Sequence, residues 1–273
     1  MSPSTDAPPD LRRSEEIAQR LARYDFPWDM TRALELALFR TFAVPSIGRL
    51  LAATREFEIR ARRRYDDTDL IVSLIIENGV TSDTGRAAIQ RMNAIHGRFR
   101  IANEDFLYVL STFVFEPLRW IDRFGWRALS ETEREGWFVF WRRVGEIMEI
   151  RDIPAARAEF ERFNRAYETQ HFTPNDDSHK VAAATRALFA EPFPKPLRPL
   201  VRAAIAGLLD ERLRQAVRFP PAPVTAALIP PIMRLRAFAL RLLPKRRVPA
   251  ERTRIPRPKS HPAGWRIETL GPT

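Results

Sequence analysis

The chain of 273 residues has no cysteine. That removes disulfides and every thiolate-held metal centre or cluster in one step. Glycine numbers only 10. None of these glycines builds a GxxxxGK[ST] phosphate loop or a GxGxxG turn after a strand, and HExxH is missing as well. No GxSxG elbow supports a Ser–His–Asp triad. No apolar run reaches the roughly 18 residues that would cross a bilayer. The N-terminal stretch MSPSTDAPPDLRRSEE is polar and lacks the apolar segment of a secretory signal. The expectation is a cytoplasmic chain with neither a signal peptide nor a transmembrane helix.

What is present is an aromatic, aliphatic chain. Hydrophobic residues make up 45%, with 6 Trp and 18 Phe, which predicts a large core. The net charge of +11 is lopsided: residues 195–273 hold 17 Lys and Arg against 4 Asp and Glu, so the remainder is close to neutral. A basic tail on a neutral body disfavours nucleic acid as a partner.

Residues 1–10 read as a disordered leader. From Leu11 to about Ala190 the pattern is helical almost throughout, and no period-2 segment is bounded by turns. A helix is predicted to start near Asp66 or Asp67 and end at Gly79. The next has a cap at Thr81 or Ser82 and a stop at Gly97. Another runs from an Asn103 cap to Gly125, interrupted near Pro117. Ser130 to Glu133 form a capping box. The stretch EPFPKPLRPL reads as a surface strap, followed by a helix over about Leu197–Phe219. Beyond that, PPAPVTAALIPPIMRLRAFALRLLPKRRVP is apolar, basic and repeatedly broken by proline. These patterns predict a helical domain over 11–219 and a Pro-rich, basic, amphipathic tail over 220–273. The tail packs on the body or lies on an anionic membrane surface as a peripheral contact.

His96 is one of four histidines. Ile89, Met92, His96 and Phe99 share one helix stripe, so the imidazole stands on an apolar face. Two readings stand: a core histidine bonded to a carbonyl, or a metal ligand, since an unpartnered buried imidazole is costly. One histidine is too few for zinc but enough for haem, whose porphyrin brings four nitrogens. Arg91, Arg98 and Arg100 lie nearby as cations for propionates. Upstream, Arg64, Thr68, Ile71 and Ile75 follow helical spacing, which places a guanidinium and a hydroxyl beside an apolar stripe. They are either part of a solvated helix start or face a cavity shared with His96. His171 and His179 read as surface or structural residues in a polar loop.

The segments RYDDT, ENGVTSDTGRAAIQRMNAIHGRFRI and FLYVLSTFVFEPLRWIDRFGWRALSETE together resemble the oxygenase superfamily of latex-clearing proteins and MpaB-type oxygenases, closest to the MpaB branch. The resemblance covers roughly Tyr24 to Leu188. It implies an all-α fold, a single haem-enclosing domain with a globin-like core. It implies haem b with His96 as axial ligand, and Arg64 and Thr68 as catalytic and cofactor-contacting residues. The rubber-cleaving branch carries a lysine before the threonine; here that residue is Asp67, which argues against polyisoprene as substrate. Neither Glu56 nor Glu58 is assigned as a catalytic carboxylate. The function implied is an oxygenase using dioxygen on an apolar, unsaturated, isoprenoid- or lipid-like small molecule, by C=C cleavage or another oxygenation. The alternatives are a non-catalytic helical binding protein with a membrane-docking tail, and a haem sensor or carrier.

Overall fold

The computed structural model describes residues 10–251, 253 and 260–272. The leader expected at the N-terminus falls outside these except for Asp10, whose side chain accepts the Arg13 N–H and caps the first helix. The described chain is all-α, with no strand. In order it comprises α1 (Leu11–Arg20), α2 (Pro27–Phe42), α3 (Pro45–Thr54), α4 (Glu56–Ile59), α5 (Ala61–Asn78), α6 (Asp83–His96), α7 (Asn103–Phe124), α8 (Glu131–Ile147), α9 (Arg157–His171), α10 (Asp176–Ala190), α11 (Arg198–Leu208), α12 (Glu211–Ala216) and α13 (Pro223–Leu242).

α7 is the central beam. It packs on α2, α8 and α9, while α1 lies on α8, α5 pairs with α6, α3 with α10, and α11 with α13. Proline does not interrupt α7. Pro117 has no N–H to give the Phe113 carbonyl, and the Trp137 indole donates to that carbonyl at 3.1 Å instead. The helix therefore continues to Phe124. Arg40, its side chain mostly covered, ties α2 to α7, α9 and the cap of α12, pairing with Glu116, Glu168 and Asp210 at 2.8, 3.0 and 2.5 Å. These carboxylates outweigh its burial and raise its pKa further.

Other boundaries depart from the sequence reading. α5 begins at Ala61 rather than near Asp66, so Asp66 and Asp67 lie inside the helix. Asp67 is buried and bound to the C-terminal segment, a partner no local pattern reveals. The supposed polar loop around His171 and His179 is mostly the end of α9 and the start of α10, where Asn175 caps the latter. The helix expected over Leu197–Phe219 is two, because Asp210 accepts the Leu213 N–H and starts α12. Part of the expected strap already belongs to α11. α13 runs unbroken through Pro230 and Pro231. By length and composition it is long and apolar enough to cross a membrane, against the expectation that no such stretch exists.

Candidate functional site

α5 and α6 are joined by a tight corner at Gly79, which has φ +77. A Cβ there would meet the Glu15 carboxylate at 2.8 Å, and Glu15 accepts the backbone N–H and the hydroxyl of Thr81. Ser82 then caps α6 by accepting the Gly85 N–H. This corner folds the two helices side by side and aims Arg64 and Thr68 of α5 toward His96 of α6. The three line one cavity of about 260 Å³, completed by α2, α3, α4, α7 and α8. On such a scale a single water takes about 10–15 Å³, so this cavity is far larger than a packing defect and has room for a ligand.

The walls are mainly apolar: Phe42, Leu51, Phe57, Phe106, Phe113 and Trp141 are among them. Within them the polar groups are few. His96 ends α6, where the helix dipole favours a cation. Burial overrides this, and the Arg64 charge adds to it; together they push the imidazole down to about 4. His96 is therefore neutral at physiological pH. Its buried Nδ1 has no hydrogen-bond partner, and Phe106 presents its ring at 5.3 Å, edge to face. The reading as a core histidine bonded to a carbonyl does not describe this side chain.

Arg64 donates to the Thr68 hydroxyl, one turn along α5, while that hydroxyl donates to the Arg64 carbonyl at 3.0 Å. Burial lowers the guanidinium's pKa, and Asp67 and Glu56 partly restore it. Arg100 also lines the cavity. Arg91 and Arg98 do not; they donate to the carbonyls of Leu270 and Pro272 at 2.7 and 2.9 Å. Ile75 lines the cavity, whereas Ile71 is buried elsewhere. His171 stacks on Tyr167 at 4.1 Å, and His179 meets the Val217 carbonyl at 2.9 Å, both away from the cavity.

Two cavity carboxylates lay beyond the sequence reading. Glu56 lines the wall and pairs with Arg60 at 2.5 Å, whereas Glu58 pairs with Arg55 outside. The left-handed turn at Arg55, φ +56, sets that register, and an arginine gives no hint of it. Asp105 accepts from Ser46 at 2.9 Å and from Tyr167 at 2.6 Å. Among the described residues, no group of three or more His, Asp or Glu side chains could hold a metal ion by itself.

The family described as ER-bound oxygenase mpaB/B'/rubber oxygenase, catalytic domain, matches residues 22–242. Among curated proteins, an ER-bound oxygenase mpaB' of Penicillium brevicompactum is 28% identical over 83% of this chain and 58% of its own length. The ER-bound oxygenase mpaB of Penicillium roqueforti is 27% identical over 75% of this chain and 74% of its own. The mpaB of P. brevicompactum is 27% identical over 66% of this chain and 51% of its own. The chain thus spans little more than half of the two P. brevicompactum relatives.

Proposed function

The chain belongs to the mpaB/B' and rubber oxygenase catalytic-domain family, and from that membership we propose that it is a haem b-dependent oxygenase acting on an apolar, unsaturated small molecule. The observation that carries the reading is His96: a neutral imidazole with a bare buried nitrogen, facing an apolar cavity. A metal-binding histidine must be neutral to ligate. A porphyrin would supply the remaining donors, so one histidine would suffice where the described residues offer no metal-holding cluster. The residues present fit the group: His96 would ligate the iron, Arg100 would offer a cation at the rim, and aromatic walls would cover the macrocycle. When bound, haem supplies the chemistry of dioxygen.

The chain's own residues then divide the remaining work. Arg64 contributes a fixed positive charge with several N–H donors, and donors to developing negative charge are strongest in a dry site. Thr68 holds that guanidinium to α5 and orients it. Glu56 and Asp67 keep it charged despite burial. The apolar walls exclude water and select a substrate without charge. Asp67, in place of a lysine, leaves no ammonium beside Thr68, consistent with a substrate other than polyisoprene.

We further propose, from the tail alone, that the protein lies at an anionic membrane surface. α13 exposes Val224, Leu228, Ile232, Leu235, Phe238 and Leu242, and residues 212–250 hold no Asp or Glu. Arg234, Arg241 and Lys245 to Arg247 are exposed along this segment. Arg236 pairs with buried Asp29 at 2.9 and 3.0 Å, which ties the helix lengthwise to the body and favours lying on a bilayer over crossing it. Flotation with anionic and neutral vesicles tests this placement: binding to anionic vesicles alone supports it, and binding to neither retires it. The oxygenase reading is tested by loading the purified protein with haemin and following dioxygen uptake with unsaturated terpenoids and lipids. Haem loading without uptake on any of them would leave a sensor or carrier.

A further inference from the structure

The C-terminal segment crosses the gap between the two helices that carry the site. On the α5 side, Ser260 donates to Asp66 at 2.6 Å. Asp67 takes two bonds from the same segment: its Oδ1 meets His261 Nε2 at 2.7 Å and its Oδ2 accepts the Gly271 N–H at 3.0 Å. Asp67 and His261 are 2% and 6% exposed, so this pair is shut away from water. On the α6 side, Arg91 and Arg98 donate to the carbonyls of Leu270 and Pro272. Leu270 is fully buried. Gly271 has φ +98, and a Cβ there would lie 2.4 Å from the Ile95 side chain, so only glycine fits. Pro272 reaches the cavity itself and forms part of its wall.

The fastening points fall beside the site residues on both helices. Asp67 precedes Thr68 and lies three residues after Arg64. Ile95 precedes His96, Arg91 and Ile95 share one stripe of α6, and Arg98 lies in the turn just past its end. The strap therefore joins the back of the Arg64–Thr68 turn to the back of the His96 turn.

We propose that Asp67 is a positioning residue: it buckles the strap of residues 260–272 across α5 and α6, and thereby fixes the spacing of the Arg64–Thr68 and His96 walls and seals the cavity at Pro272. Its carboxylate also supports the charge of Arg64. The assignment concerns the cavity walls and rests only on the reading of that cavity as a binding site.

Hydrogen–deuterium exchange on the full chain, with and without added haemin, tests it. In Asp67→Asn and Gly271→Ala, amides of residues 260–272 and of the α5 and α6 turns beside the cavity should exchange about tenfold faster, while α8 and α9 stay as in wild type. The two variants loosen the buckle from opposite sides, by charge and by steric push, so the pattern should coincide. Haemin, where taken up, should also leave both variants faster than wild type. Wild-type exchange in the strap of both folded variants overturns the proposal, and so does a uniform rise across all helices, which would mark Asp67 as a general stability residue. If Asp67→Asn does not fold, His261→Asn weakens the same latch from the strap side and carries the same test. A protein that takes up no haemin sinks the cofactor reading and leaves the exchange result to decide the buckle.

Discussion

α7 and α13 are the two longest helices among the described residues, both carry proline inside without a break, and they are used in opposite ways. α7 buries 14 of its 22 residues, whereas α13 buries Met233 and Ala237 out of 20. α7 has neighbours on every side, and even the carbonyl freed by Pro117 is taken by Trp137. Among the described residues, α13 meets the body through α11, α7, the Arg236–Asp29 pair and the bond from Arg241 to the Trp126 carbonyl. Leu235 and Leu242 remain 70% and 73% exposed. Apolar composition states that a helix wants cover; only the arrangement of neighbours says whether the protein provides it. α7 lines a cavity, and α13 leaves an apolar face exposed.

The contrast can be broken experimentally. Phe115→Ala in α7 removes a ring packed on Phe160 and 2% exposed, and should cost about 3–5 kcal/mol in urea denaturation. A loss below 1 kcal/mol would mean that the centre of α7 is not packed as described. Arg236→Met leaves the buried Asp29 carboxylate with only the Trp120 indole as a side-chain partner, at 3.0 Å, and should cost about 3 kcal/mol. An unchanged melting temperature would show that α13 is not anchored there.

A smaller, pH-dependent effect belongs to His96. Burial first, and then the Arg64 charge, lowers its folded pKa from the ordinary 6.5 to about 4. The unfolded chain therefore binds the extra proton first, so this group's contribution to stability is full above about 6.5 and is lost as pH falls toward about 4. The difference in urea midpoint between wild type and His96→Phe should shrink or reverse across that window. A flat difference would mean that the imidazole is not held neutral by its surroundings. Smallest of all, Leu228→Ser, Leu235→Ser and Leu242→Ser should each change stability by less than about 0.5 kcal/mol. Together they should abolish binding to anionic vesicles. A large loss of stability would show that this face is covered by the chain itself.

What the sequence made legible was local. The Ser82 cap, the Gly79 corner and the Ser130–Glu133 capping box depend on neighbours within four residues, and all three stand where the pattern puts them. The four-residue spacing of Arg64 and Thr68 put them on one helix face for the same reason, and left open whether that face met His96 on the next helix. The missed features depend on distant partners. Asp67 looked like a first-turn acid because its partner, His261, is 194 residues away. Pro117 looked like a break because the Trp137 indole that satisfies Phe113 comes from the next helix. Glu56 had no readable register because the turn before it hinges on an arginine with positive φ.

The most direct test of the central claim is a haemin titration of wild type and His96→Ala, read by absorbance and pyridine haemochrome quantification. The account predicts a Soret band saturating at about one b-type haem per chain in wild type. It predicts loss of that binding in His96→Ala, with the circular dichroism of a folded helical protein retained. Equal haem stoichiometry and an unchanged spectrum in the two proteins would contradict it.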